Sequence, residues 1–169
     1  MTAFRRPHRV AVLTLPGVLA LDYGIPVQAF GTWHDDPYAL MVCTDVPGPV
    51  PVEGGPALLI EHGLDVLEHA DTIVVPGLAR PGRPPAPVLT ALAAAADRGA
   101  RLVSICTGAF VLAAAGLLDG RRATTHWAYA ARLAREYPAV TVEPRSLYVD
   151  QGSVLSTVVV DVYPRKVDP

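Results

Sequence analysis

The 169-residue chain is short of charge, of cysteine and of any apolar stretch long enough to span a membrane. Fourteen Lys and Arg stand against 16 Asp and Glu, and no basic run exceeds the pairs Arg5-Arg6 and Arg121-Arg122. Nucleic-acid binding needs clustered positive charge, so no direct contact with nucleic acid is expected from this chain. Arg121-Arg122 reads as a solvated turn. The two cysteines, Cys43 and Cys106, lie far apart and fit no metal-ligand spacing. His62 and His69 share a short helix-like segment without a third ligand and read as surface residues. No metal and no cofactor is expected.

The opening MTAFRRPHR leads into an apolar run too short for a secretory core. With so few cysteines, a reducing, cytoplasmic setting fits best. The longest apolar run, 102–118, contains Ser104, Thr107, Gly108 and Gly116 and falls short of the roughly 20 residues of a membrane helix. A buried strand followed by a buried helix explains it better.

What the chain does have is apolar surface. Half of its residues are hydrophobic (51%), enough for the core of one domain. RVAVLTL (9–15) reads as a strand buried on both faces and closed by Pro16-Gly17. A helix is predicted over 21–33, with Pro26 in its first turn. YALMVC (38–43) is a second strand, 44–56 a Pro- and Gly-rich loop or irregular edge, 57–60 a short strand and 63–69 a short helix. TIVV (72–75) is the clearest buried strand, ended by Pro76-Gly77. A proline-rich link leads from it to an alanine-rich helix over 87–98, closed by Gly99.

Further on, the pattern predicts a strand over 101–105, a helix over 107–115 stopped by Gly116, a short strand over 123–125 and an amphipathic helix over 127–137. Beyond Thr141 only strand-like segments follow, with turns at Pro144 and Gln151-Gly152 and no final helix. Alternating strands and helices of this kind predict an α/β fold, a parallel sheet covered on both faces.

The chemistry gathers where strand 101–105 meets the next helix. In SICTGAF (104–110), Cys106 stands at a strand-to-helix turn. Small neighbours relieve crowding at such a nucleophile elbow, and the helix N-terminus favours a thiolate. Gly108 matches the second glycine of that pattern, and Ser104 replaces the first. Backbone N–H groups of Thr107 and Gly77 are the expected oxyanion donors. Asp22 follows the first strand at the same sheet edge, where open α/β sheets place their sites. It is a candidate acid or base, or simply the cap of a helix beginning at Tyr23. His126 either reaches the same cleft or starts its helix beside Trp127. Cys106 is thus a pocket-lining residue, a nucleophile or a reversibly oxidised sensor thiol, whereas Cys43, inside a strand, reads as a packing residue.

The stretch SICTGAFVLAAAGLLDGRRATTHW (104–127) resembles the ThiJ/PfpI superfamily, whose fold is like that of class I glutamine amidotransferases. Two branches share the motif: isonitrile hydratases, and the N-terminal sensor domains of GlxA-type regulators in the AraC family. LDYGIPVQAFG (21–31), DTIVVPG (71–77) and EYPAVTVEPRSLYVDQGSVLS (136–156) look most like the regulators. The resemblance covers almost everything from Val10 to Ser156. It implies a flavodoxin-like, doubly wound, mostly parallel sheet with helices on both faces. It also implies a homodimer that binds an unidentified small molecule near Cys106 and signals to a separate helix-turn-helix module, without enzymatic activity. The hydratase branch implies instead that Cys106 attacks the isonitrile carbon, with Asp22 as acid-base partner and water completing an N-substituted formamide.

Two departures stand out. Leu78 replaces a second glycine found after the first in many enzymes of the superfamily, which narrows the cleft beside Gly77. In the resembling regulators the strand equivalent to VLST runs into a long helix, but here VVVDVYPRKVDP follows. Residues 1–157 therefore read as the domain and 158–169 as an atypical tail. That reading makes the chain either a truncated or frame-shifted regulator or a compact variant whose tail substitutes as a strand.

Overall fold

The computed structural model describes residues 6–31 and 37–159. Its centre is a six-stranded sheet built from β1 (His8–Leu13), β2 (Tyr38–Cys43), β5 (Thr72–Val75), β6 (Arg101–Ile105), β9 (Tyr148–Asp150) and β10 (Val154–Thr157). The strand order is β2-β1-β5-β6-β10-β9. Every neighbouring pair is parallel except β10 with β9. The parallel strands β1 and β5 are the two apolar, β-branched runs legible in the sequence. All four residues of β5 are buried, as are Val10 to Leu13 of β1, because a parallel strand covered on both sides must be apolar on both.

Side chains alternate between faces with the period of two that a pleated strand imposes. Ala11, Leu13, Ile73, Val75 and Leu102 belong to the larger apolar cluster, with residues of α2 (Ala86–Asp97), α3 (Ala109–Ala114) and α4 (Trp127–Glu136) such as Leu92, Phe110 and Leu133. Val10, Val12, Val74 and Ile105 form a second cluster, with Tyr23 and Phe30 of α1 (Ala20–Gly31) packed against it. The first cluster also draws on Val66 and Leu67 of the 3-10 helix Leu64–His69, and Tyr23 of α1 packs against both clusters.

Several boundaries differ from the sequence expectation for identifiable reasons. Helix α1 starts at Ala20, and Pro26 is its seventh residue, well past the first turn. The ring is buried there, so apolar contact offsets the hydrogen bond that a proline cannot donate. The helix expected from Thr107 opens as a single 3-10 turn, Cys106–Gly108, before α3 begins. Gly116, at φ +74°, closes that segment as expected. Within the supposed loop 44–56, β3 (Gly48–Val50) pairs antiparallel with β4 (Leu58–Ile60) as a separate ribbon.

The strand predicted over 123–125 is instead β7 (Arg122–Ala123), which pairs with β8 (Thr141–Val142) outside the main sheet. Arg122 pairs with Thr141 in that ladder, so the Arg121-Arg122 step is partly strand, and the Arg122 side chain meets Glu143 at 2.6 Å. Thr124 and Thr125 leave the ladder, with the Thr124 N–H and both hydroxyls engaged elsewhere. Strand β10 ends at Thr157, short of the predicted strand-like run to Tyr163. Val158 and Val159 continue the chain without strand pairing, residues 160–163 lie outside the described residues, and no helix follows β10 among the described ones.

Candidate functional site

Cys106 sits at the C-terminal end of β6 with φ +54°, the only described non-glycine residue in the left-handed region. A side chain in that conformation costs about 1–2 kcal/mol, so the turn is imposed by its surroundings. Those surroundings are visible at Gly108. A Cβ there would collide with the carbonyl oxygen of Val75 and come within 2.9 Å of the Pro76 oxygen. The elbow thus packs directly onto the end of β5, and only glycine permits that approach.

Gly77 is constrained from the other side. A Cβ at this position would run into Asp22 Oδ2 and lie 3.1 Å from Cys106 Cβ. Asp22 and Cys106 therefore flank one small glycine space. Asp22 is 3% exposed, and its Oδ2 accepts the Gly77 N–H at 3.1 Å. It lies in the first turn of α1 and does not cap a helix starting at Tyr23. Its carboxylate reaches across to the β5 loop instead.

Thr107 does more than offer a backbone N–H. Its Oγ1 accepts from Leu78 N at 2.7 Å and donates to Leu78 O at 2.6 Å, so one buried hydroxyl satisfies both backbone groups of a residue from the next strand end. Leu78 itself is buried in the larger apolar cluster. The N–H groups of Gly77, Leu78 and Ala79 are engaged by Asp22, Thr107 and the Gly17 carbonyl, so these three donors are already committed when a reacting oxygen arrives.

The next loop is fastened to the same turn. Thr125 Oγ1 donates to the Cys106 carbonyl at 3.0 Å, and Thr124 N–H donates to Ser156 Oγ at 2.8 Å. His126 follows directly. Its Nδ1 accepts the Ala128 N–H at 3.3 Å as the N-cap of α4, and its ring leans on Trp127 and Tyr129 with centroids 5.4 and 6.0 Å away. This is the helix-start role weighed from the sequence. Tyr129 Oη and Arg132 Nη2 then hold the carbonyls of Ala79 and Pro81, which ties α4 to the proline-rich link.

The structure therefore brings Asp22, Gly77, Cys106, Thr107 and Gly108 into one constellation, with His126 entering through its neighbour Thr125. Sequence reasoning missed the Thr107 side chain, Thr124, Thr125 and Ser156. The available signal was hydroxyl residues at the ends of otherwise apolar segments, where buried backbone groups need partners. Cys43 is fully buried in β2, and burial, with the Asp65 carboxylate adding to it, pushes its thiol up to about 12. No cluster of three or more His, Cys, Asp or Glu that could hold a metal occurs among the described residues, and no described helix is long and apolar enough to cross a membrane.

A family model described as DJ-1/PfpI matches residues 8–163. The chain belongs to the DJ-1/PfpI family. An uncharacterized Streptomyces lividans protein from the cpoL 5′ region is 43% identical over 139 residues, 79% of this chain and 97% of that protein. The HTH-type transcriptional regulator CdhR of Pseudomonas aeruginosa is 32% identical over 148 residues, which are 85% of this chain and 44% of the regulator. The chain thus spans under half the length of that regulator. A solved putative transcriptional regulator from Vibrio parahaemolyticus superposes with a TM-score of 0.80 over 90% of this chain and 84% of its own, at 18% identity. The DJ-1/PfpI membership, the flavodoxin-like sheet and the kinship with regulators read from SICTGAF and its flanks are all borne out.

Proposed function

We propose that the chain is a small-molecule-sensing and dimerising domain of AraC-regulator type, with Cys106 lining the ligand cleft and DNA binding left to a separate module. The observation that carries this reading is the engagement of the Gly77 and Leu78 N–H groups by Asp22 and Thr107. A site that stabilises a developing oxyanion keeps such donors aimed at the substrate. Here both are bonded within the protein, which supports binding over oxyanion chemistry. Similarity to the CdhR regulator supports the same reading, and the proposed setting is the cytoplasm.

One observation favours the hydratase reading as an alternative. Asp22 and Cys106 approach the same glycine space, as an acid-base group and a nucleophile working on one small substrate would. The two readings part on turnover. Purified protein is incubated with a simple isonitrile beside the Cys106→Ala variant, and N-substituted formamide is measured. No Cys106-dependent product is expected. Turnover that vanishes in Cys106→Ala would overturn the sensing role. A thermal-shift screen of small metabolites supplies the positive arm, because a ligand at 100 times its Kd adds about 2.7 kcal/mol of stability.

A further inference from the structure

We infer that β10, with Val158 and Val159 after it, is the element that reads the state of the Cys106 turn, through a buried relay of the Thr125 hydroxyl, the Thr124 N–H and the Ser156 hydroxyl. This deepens the sensing role proposed above and rests on it. Strand β10 lies parallel to β6 with Thr157 beside Ile105, the residue immediately before Cys106. Both strands therefore end at the same edge of the sheet. The chain passes from the sheet next to the elbow, and Val159 packs against the cluster that contains Ile105 and Cys106.

The connection does not run through the strand ladder alone. Thr125 Oγ1 holds the Cys106 carbonyl, and the preceding residue gives its N–H to Ser156 Oγ on β10. Thr124 Oγ1 also donates to Ser146 O, and Thr157 Oγ1 and Val158 N–H both donate to Leu147 O, so the same strap reaches the approach to β9. Thr124, Thr125 and Ser156 are each at most 1% exposed. In that setting a displaced partner is costly, because no water replaces the hydrogen bond that a buried polar group loses. Cys106 supplies the reason for movement. Its carbonyl belongs to a residue held at φ +54°, and a strained backbone persists only while its neighbours over-determine it. Whatever fills the space beside Cys106 and shifts that turn must move the Cys106 carbonyl, and with it the 124–125 strap and β10.

Coupling is reciprocal, so the test runs in both directions on the full chain and needs no ligand. Alkylation of Cys106 by iodoacetamide is followed by mass spectrometry in the wild type, Ser156→Ala and Val154→Ala. The last loosens β10 without touching the relay. Ser156→Ala is expected to change the Cys106 rate about fivefold, and Val154→Ala to leave it near wild type. Equal rates in wild type and Ser156→Ala, or equal changes in both variants, would overturn the relay. In the reverse direction, hydrogen exchange is compared in wild type and Cys106→Asp. Faster exchange over 154–159 with unchanged exchange in β2 supports the relay, and unchanged exchange over 154–159 refutes it. A formamide-producing enzyme could still show both couplings, so failure of the sensing role and failure of the relay are read separately.

Discussion

The two ends of the same mostly parallel sheet are held together by opposite means. At the C-terminal end, around Cys106, the contacts are made by buried hydroxyls, one buried carboxylate and backbone amides, at 2.6–3.1 Å. At the N-terminal end, Asp71 takes two bonds from Arg6 and one from the Arg9 N–H, on the rim of a cleft of about 1170 Å³ that His8, His69 and Arg98 also line. The Arg6 and Arg9 side chains there are 63% and 45% exposed. A chain poor in charge spends its ion pairs where water screens them and builds its site from neutral donors. Buried hydroxyls fix geometry at little desolvation cost once paired. The comparison predicts that equally modest substitutions have very unequal effects at the two ends.

The largest effect is expected from Gly108→Ala. The added methyl meets two backbone carbonyls that cannot swing aside, and overpacking of that kind costs about 3 kcal/mol or more. Urea unfolding should show a large fall in the midpoint. A midpoint within experimental error of wild type would mean that the elbow does not rest on the end of β5. Thr107→Val comes next. It keeps the shape but removes both partners of Leu78, leaving a buried N–H and C=O unsatisfied, at about 1–3 kcal/mol. The same variant frees the loop after β5, so hydrogen exchange at 77–79 should accelerate relative to β1.

Ser104→Ala has the opposite sign. The Ser104 hydroxyl is fully buried and has no hydrogen-bond partner, so its removal is expected to raise stability by about 1 kcal/mol. A clear loss of stability would show that the hydroxyl has a partner such as a buried water. Thr14 carries the same signature where β1 leaves the sheet.

How much of this was legible beforehand follows from what periodicity and punctuation encode. Strands β2, β5 and β6 match the expected runs residue for residue, because their apolar stretches are bounded by proline, glycine or polar residues. The elbow was readable because Cys106 and Gly108 stand at a junction between two such patterns. Pro26 was misplaced because local rules put proline in a first turn, while tertiary burial decided otherwise. The strap was not readable. Pairing Thr125 with Cys106 and Thr124 with Ser156 spans 19 and 32 residues, and no local pattern records which distant backbone group a threonine will satisfy. The strand wrongly extended over 124–125 is the same oversight seen from the backbone.

The smallest effect belongs to the exposed end, and its sign is set by Asp71. The Arg6 side chain first, and the Arg9 N–H second, hold its carboxyl well below the usual carboxylate range. A carboxylate with a depressed value in the folded state contributes stability above its unfolded value, near pH 4. That contribution is lost as pH falls below this point. Asp71→Asn should therefore lower the urea midpoint slightly at pH 7 and by less at about pH 2, where the wild type has lost part of the same contribution. High salt should shrink the pH 7 difference, because the Arg6 partner is largely exposed and screened. Loss at pH 7 as large as that of Thr107→Val would reverse the ranking of the two ends. It would make the exposed Asp71 network, rather than the buried hydroxyls, the principal fastening of the sheet.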